Sequence, residues 1–321
     1  MKIIVTGGSG FIGSNFISYW LKNHPRDQIT NVDKLTYAAD PKNLGESSKS
    51  SNYKFLKGDI ANKGFVEKYF GDAEIIVNFA AESHVDNSIK NSENFVRSNI
   101  LGVHNILEVV RETNARFHQI STDEVYGSLP LNSNRRFSED SKYNPRNPYS
   151  ATKASADFLV RAYYNTYGIP ATISNCSNNY GPNQHPEKLI PKTILNAYLN
   201  RKIPVYGNGK QVRDWIYVED HCSAIDRIIK KGKLGETYLV GEDGEKKNIE
   251  VIRKILKYMG KPESLIKFSK DRPGHDVRYG IDAAKIKKEL GWKPKTNFED
   301  GIDITIEHYI KNEKRYLKKL K

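Results

Sequence analysis

The sequence predicts an α/β protein: a doubly wound parallel sheet with a smaller α/β lobe attached. Three observations predict it. Short, almost wholly apolar runs recur through the first half, as expected of strands buried on both faces. Segments with apolar residues at helical spacing separate them. A glycine-rich turn follows the first apolar run directly. Strands alternating with helices pair in parallel and put helices on both faces of the sheet.

Taken in order, Ile3-Ile4-Val5 reads as the first strand and residues 11–23 as the first helix. Residues 29–32, 53–56, 74–79 and 117–121 are further buried strands, and 94–113 reads as one long helix. Beyond about residue 180 the pattern loosens into Tyr180-Gly181-Pro182, Ile203-Pro204, Gly207-Asn208-Gly209 and Arg272-Pro273-Gly274-His275. Helices remain at 187–200, 218–230 and 248–259. The expected division is a main domain over 1–180 and a second lobe mainly over 181–321. The boundary is soft, because late strands can return to the main sheet.

Composition narrows the partners. Aromatic residues make up 11% of the chain, which argues against disorder, and no apolar run approaches the 18 residues of a membrane span. No basic leader precedes the first strand, and Cys176 and Cys222 lack both metal spacing and a disulfide framework, so a cytoplasmic protein is expected. The eight histidines form no ligand-spaced cluster, and no metal is expected. Both cysteines and Trp20, Trp215 and Trp292 read as packed interior residues.

The net charge of +13 is unevenly placed. Residues 1–180 carry 20 basic and 18 acidic side chains, and residues 181–321 carry 31 and 20. The segment from residue 311 to 321 alone holds six basic side chains and one acidic. A solvated helix end with a favourable dipole term accounts for it most simply. Interleaved aromatics and a nucleic-acid motif are missing from it, so no nucleic-acid partner is expected.

Thr6-Gly7-Gly8-Ser9-Gly10-Phe11-Ile12-Gly13 lies between the first strand and the first helix. Glycines there let the backbone turn tightly and approach a pyrophosphate, and the helix N-terminus supplies free N–H groups. Asp33 ends the second strand, twenty residues beyond Gly13, where a carboxylate accepts from ribose hydroxyls and repels a 2′-phosphate. That favours NAD over NADP on a Rossmann-like sheet, although Lys34 is a cation that tolerates the phosphate. Asp59 and Ile60, after the third strand, are candidate adenine contacts.

Tyr149 and Lys153 stand four apart, on one face of a helix. An ammonium and the nicotinamide charge favour the phenolate, so the tyrosine is expected to lose its proton more easily and act as a base. Ser121-Thr122-Asp123-Glu124-Val125-Tyr126-Gly127 follows the strand at 117–121. Two adjacent carboxylates at the carboxyl end of the sheet suit separate acid and base roles, such as loss of water, if their surroundings split their pKa values.

These strings together resemble the extended short-chain dehydrogenase/reductase family, and within it the dTDP-glucose 4,6-dehydratases. The similarity also covers Val32-Asp33-Lys34-Leu35-Thr36-Tyr37, Ala80-Ala81-Glu82-Ser83-His84-Val85-Asp86, Cys176-Ser177-Asn178-Asn179-Tyr180-Gly181-Pro182, Glu187-Lys188-Leu189-Ile190-Pro191, Arg213-Asp214-Trp215 and Arg272-Pro273-Gly274-His275-Asp276. The resemblance implies a lyase. In it Tyr149, helped by Lys153, takes the C4 hydroxyl proton while NAD takes the C4 hydride, and Thr122 bonds the C4 oxygen. Glu124 removes the C5 proton, Asp123 protonates the leaving C6 hydroxyl, and the hydride returns to C6. The product is a 4-keto-6-deoxy sugar.

The resemblance further implies that Gly7, Gly10, Phe11, Ile12, Gly13, Asp33, Lys34, Leu35, Thr36, Asp59, Ile60, Ala80, Ala81, Ser98, Tyr149, Lys153 and Asn179 hold NAD. It implies that Ser83, Thr122, Asn178, Lys188, Leu189, Pro204, Tyr206, Arg213, Asn248, Arg272 and His275 hold a nucleotide-diphosphate hexose. It also implies a homodimer through paired helices, here 94–113 and 149–167. Four residues depart from the family's usual pattern: Ser98, Asn175, Asn183 and His185. The alternatives are a UDP-sugar 4,6-dehydratase, a nucleotide-sugar 4-epimerase or decarboxylase on the same fold, and a non-catalytic NAD-binding regulator or nucleic-acid binder.

Overall fold

The computed structural model describes residues 1–271 and 274–320. Its strands are β1 (Lys2–Thr6), β2 (Gln28–Asp33), β3 (Tyr53–Lys57), β4 (Ile75–Asn78), β5 (Arg116–Thr122), β6 (Ala171–Cys176), β7 (Asn178–Tyr180), β8 (Ile203–Tyr206), β9 (Val212–Tyr217), β10 (Thr237–Val240), β11 (Glu245–Lys247) and β12 (Ile266–Ser269). Among the described residues, seven of them form one parallel sheet in the order β10-β6-β5-β4-β1-β2-β3. The order reverses beside β1, so the connections leaving β1 and β4 diverge and open a crevice at the carboxyl ends.

Successive side chains of a strand face opposite ways, and here both faces are dry. Ile3, Val5, Ile75, Val77 and Ile120 pack under α1 (Phe11–Asn23), through Phe16, Ile17 and Trp20. Ile4, Ile76, Phe117 and Ile173 face the other layer, built from α2 (Lys63–Phe70) with α5 and α6, defined next. Between α2 and that layer the chain forms α3 (Val85–Lys90), α4 (Glu93–Val96), a π turn at Arg97–Leu101 and α5 (Gly102–Thr113). The single helix expected over 94–113 is therefore interrupted. The wider turn carries Ser98 and Asn99, and the Asn99 side chain is tied to Glu82 and Thr152 on two other segments.

The 20-residue α6 (Pro148–Tyr167) opens on a capping box made by Asn147 and Ser150. After it come α7 (Leu189–Tyr198), α8 (Val218–Lys231), α9 (Asn248–Tyr258), α10 (Ala284–Leu290), α11 (Phe298–Lys311) and α12 (Glu313–Leu317). The helix expected over 187–200 starts only at Leu189, which leaves Glu187 and Lys188 in the loop before it. α8 packs beside α1 on the central sheet and β10 pairs with β6, so the chain beyond 181 does return to the first layer.

β6 shows no apolar run in the sequence, for a physical reason. Thr172, Ser174 and Asn175 lie inside it, fully buried, and His118 of β5 bonds Thr172 and Ser174 through its two ring nitrogens at 2.9 and 3.1 Å. Paired polar groups can be buried, and they erase the apolar run that identified the other strands.

The second lobe holds two small sheets, β11-β9-β7 and β12-β8. α7, α9 and α11 close over a core of Tyr180, Trp215, Ile255, Ile302 and Tyr309. All three tryptophans are buried, and both cysteines are buried free thiols. The basic end of the chain is only partly a solvated helix end. Arg315 and Lys319 converge on Asp40 at 2.9 and 2.6 Å, Arg315 also bonds Asn43, and both Asp40 N–H and Asn43 amide donate to Ser9 O in the glycine turn.

Candidate active site

The crevice at the sheet's carboxyl edge is a cleft of about 310 Å³. Nearly every residue proposed for cofactor and chemistry lies on its wall. Gly7, Gly10, Phe11, Ile12 and Gly13 come from the turn after β1; Asp33, Lys34 and Thr36 follow β2; Asp59 and Ile60 follow β3. Ala80, Ala81 and Ser83 follow β4, Ser98 sits on the π turn, Thr122 ends β5 with Asp123 and Glu124 in the 3-10 turn after it, and Tyr149 and Lys153 face in from α6. Asn178, Asn179 and Lys188 close the side toward the second lobe. Leu35 is the exception: it adopts φ 60° behind the wall, and its N–H donates to Asp33 Oδ1 at 2.8 Å.

The turn fits a dinucleotide diphosphate. A Cβ on Gly13 would lie 2.5 Å from Gly7 O, and one on Gly7, whose φ is +68°, would lie 2.7 Å from Ala80 N. α1 begins without a side-chain cap, so its first N–H groups are available to an anion in the cleft. Asp33 is held for a ribose: Ser9 N–H donates to its Oδ2 at 3.0 Å, while burial raises its pKa against those backbone hydrogen bonds. Lys34 points away from it, donating to Ser98 Oγ at 3.1 Å and lying 3.8 Å from Asp59. The cation that left NADP open in the sequence is thus engaged elsewhere.

At the other end of the cleft the polar groups are buried. Lys153 donates from Nζ to Ile120 O at 2.6 Å. Burial lowers the Lys153 pKa, against the fields of Asp157 and Cys176. Tyr149 departs from expectation: burial pushes its phenol well above the usual 10, and Glu124 adds to that, while a hydrogen bond to Thr122 works the other way. In these surroundings the phenol holds its proton. Asp123 is likewise raised well above an ordinary carboxyl, first by burial and then by Glu124 and Asp214. Its Oδ1 takes the Thr122 hydroxyl at 3.3 Å, and its Oδ2 finds no hydrogen-bond partner among the described residues. Burial thus pushes Asp123 toward the protonated form, which suits the acid of an adjacent carboxyl pair.

The residues proposed for the nucleotide sugar divide. Ser83, Asn178 and Lys188 line the cleft, and Lys188 reaches across it to Ser83 O at 3.3 Å. Leu189, Pro204, Tyr206, Arg213, Asn248 and His275 stand behind or beside that wall. Arg213 lies over the Tyr279 ring at 4.3 Å and donates to Val212 O and Asp276 O, yet its charge reaches Asp123. Tyr206 donates to Asp86 at 3.2 Å, and His275 meets Asp271 at 2.5 Å. Leu189 opens α7, and Pro204 sits in β8 opposite Lys267. Asn248 opens α9 and donates its N–H to Gln211 O. Arg272 lies outside the described residues.

Other wall residues were passed over: Glu82, Gln184, His185 and Glu187. Glu82 and Glu187 sit inside strings that carried the resemblance, and only their neighbours were assigned. Gln211, off the cleft wall, carries a further contact: its amide donates to Asp271 at 2.9 Å and lies 3.3 Å from His275. No signal in a single sequence marks it.

A family model described as GDP-mannose 4,6 dehydratase matches residues 4–305. The dTDP-glucose 4,6-dehydratase of Mycobacterium tuberculosis strain H37Rv is 48% identical over 314 residues, which is 98% of this chain and 94% of that protein. The chain belongs to the dTDP-glucose 4,6-dehydratase family. The dTDP-glucose 4,6-dehydratase of Bacillus anthracis, solved in complex with NAD, is 44% identical and superposes with a TM-score of 0.93 over 100% of both chains. That of Streptomyces venezuelae, solved with NAD and a second ligand, is 39% identical with a TM-score of 0.96, again over 100% of both. The family match runs from β1 into α11, so both walls of the cleft fall inside it. No described helix is long and apolar enough to cross a membrane.

Proposed function

We propose that this chain is an NAD-dependent hydro-lyase that converts dTDP-glucose to dTDP-4-keto-6-deoxyglucose in the cleft between the two lobes. The observation that carries the reading is the meeting of Tyr149 and Lys153 with two adjacent carboxyls in one cleft, Glu124 and an Asp123 that burial pushes toward its protonated form. An epimerase or decarboxylase needs the first pair but not both carboxyls.

When bound, NAD supplies the acceptor for the C4 hydride, the donor that returns it to C6, and a positive ring that offsets a phenolate. The chain's own groups move the protons. Tyr149 takes the C4 hydroxyl proton, with the Lys153 ammonium stabilising the phenolate, and Thr122 bonds the oxygen that becomes the ketone. The ketone acidifies C5, and Glu124 removes that proton. Asp123, still protonated, gives its proton to the departing C6 hydroxyl, so water leaves. A proton returned to C5 completes the product as the hydride returns to C6.

In this reading residues 1–180 mainly hold NAD: the glycine turn takes the diphosphate, Asp33 the ribose, Asp59 and Ile60 the adenine. Residues 181–321 mainly hold the nucleotide sugar. Lys188 meets the diphosphate at the cleft mouth, with Arg213 and Arg272 as further cations. Tyr206, Asn248 and His275 form the wall for the base. The enzyme works in the cytoplasm as a homodimer. Supporting the dimer, Val96, Leu101, Phe158 and Tyr167 are exposed along α4, the π turn and α6, with Phe158 at 53%.

Turnover of dTDP-glucose in D₂O tests the reaction. The expected product is a 4-keto-6-deoxy sugar carrying solvent deuterium at C5, seen by NMR. A C4 epimer without deuterium would overturn the reading.

A further inference from the structure

We propose that Asp157 is a positioning residue for the reaction: the counter-ion that holds Lys153 as an ammonium, and the anchor for the end of β5 that carries Thr122. This rests on the function proposed above.

α6 carries Tyr149, Lys153 and Asp157 at successive fourth positions, so all three share one face. Asp157 is fully buried, yet one of its oxygens collects three donors. Ser121 Oγ gives at 2.7 Å, Tyr143 OH at 3.0 Å and Asn175 Nδ2 at 3.2 Å. Three consecutive residues of β5 are thereby held from behind. Lys153 takes Ile120 O, Asp157 takes the Ser121 hydroxyl, and the Asn175 amide bonds both Asp157 and Thr122 O, the latter at 3.1 Å. That places the Thr122 side chain, and with it the start of the Thr-Asp-Glu string. Three donors on one carboxylate favour its ionised form, and an ionised carboxylate needs a cation at this depth.

Lys153, one helical turn before Asp157 on α6, is the cation whose field reaches it: the ammonium itself rests on Ile120 O and makes no direct ion pair with Asp157. Burial raises the Asp157 pKa and lowers that of Lys153, and the field of each works against that shift in the other. Arg161, one turn further along α6, gives its NH2 to Tyr143 OH and Thr237 Oγ1 instead. The remaining titratable groups near the pair stay neutral over the assay range. Burial lifts the Cys176 thiol to about 12 and the phenols of Tyr126 and Tyr143 higher still. Beyond Lys153 lie Tyr149, Asp123 and Glu124. Asn175, which also bonds Asp157, is a neutral amide, so the charge that faces Asp157 along α6 is that of Lys153.

Asp157→Asn keeps the shape of the side chain and removes its charge. The readout is the rate of cofactor reduction on mixing with dTDP-glucose, followed at 340 nm across pH 6 to 9.5, with Tm and bound NAD measured alongside. Without its partner Lys153 loses its charge at lower pH, the phenolate costs more, and the acid limb of the profile moves up by about one pH unit, with a roughly tenfold slower reduction at pH 7. Tyr143→Phe removes a donor to the same oxygen but leaves the charge, and is expected to lower Tm with the acid limb unmoved. If Asp157→Asn does not fold, Asp157→Ser carries the same test with a smaller side chain. An acid limb in the wild-type place in a folded, NAD-loaded Asp157 variant would overturn the proposal. A product other than the 4-keto-6-deoxy sugar, with the limb still shifted, would instead overturn the reading of the reaction.

Discussion

The two walls of the cleft are built differently. On the sheet side, each functional group leaves the end of a strand or one turn of a helix, and its partners lie in the same layer: Lys153 on Ile120, Asp33 on Ser9 and Leu35. On the lobe side, the cationic and polar groups occupy the small sheets and loops, and engage one another across long stretches of chain. Arg213 bonds Asp276 O, His275 meets Asp271, Tyr206 reaches Asp86. The first wall is preorganised for chemistry. Under the proposed function the second exchanges protein partners for ligand ones, so its residues spend part of their binding energy on that exchange. Chemistry and recognition therefore respond to different substitutions.

The largest effect is expected from Glu124→Gln. Cofactor reduction by dTDP-glucose should persist, with NADH accumulating at 340 nm, while product formation falls on the order of 10²–10³-fold for want of the C5 base. Near-normal product formation would remove Glu124 from that role. On the other wall, Lys188→Ala should raise KM for dTDP-glucose about tenfold and leave kcat within about twofold, as expected when binding is lost equally from ground and transition states. A comparable fall in kcat would erase the contrast between the walls.

The smallest effect concerns Asp40, under the basic end of the chain. Burial opposes its ionisation, but hydrogen bonds from Lys319, Arg315 and the Lys42 N–H outweigh that and lower its pKa to about 2. A lowered carboxylate pKa stabilises the fold fully above the unfolded value of about 4, and that contribution disappears as pH falls through about 2. Asp40 is partly exposed, so Asp40→Asn should lower Tm at pH 7 by only about 2 °C, with the difference closing below pH 4. A Tm difference that stays constant from pH 7 to pH 3 would assign the effect to shape rather than charge.

The same contrast decides what the sequence discloses. The glycine turn, Tyr149 with Lys153, and the Thr-Asp-Glu string are local patterns on regular elements, so their spacing carries their geometry. β1, β2, β4 and β5 are legible because both faces are largely dry, whereas β3, expected to be buried, is a half-exposed edge strand with Phe55 open to solvent. β6 is not legible, because Thr172, Ser174 and the Asn175 amide group find partners on β5 and α6 that no local pattern announces. Asp157 escaped notice although it repeats the spacing that singled out Tyr149 and Lys153, since nothing local tells a buried carboxylate from a solvated one. The same holds for Gln211, whose hydrogen bonds to Asp271 and toward His275 are made by folding alone. Direction of pKa was also illegible. The phenol of Tyr149 rises rather than falls because burial, which no spacing reveals, pushes it up and the fields of Glu124 and Cys176 add to that.

The clasp between α12 and Asp40 has a consequence for the order in which the molecule assembles. Arg315 and Asp40 are 275 residues apart, so their contact closes one of the longest loops in the chain. Contacts of such separation are costly in chain entropy and form after the local and neighbouring ones have made the ends meet. Asp40 and Asn43 in turn hold Ser9, inside the turn that begins the first helix. The segment that folds earliest by proximity thus receives its final bracing from the most distant one. A refolding chain should recover its sheet, and the far-ultraviolet signal that reports it, before it recovers a tight grip on NAD.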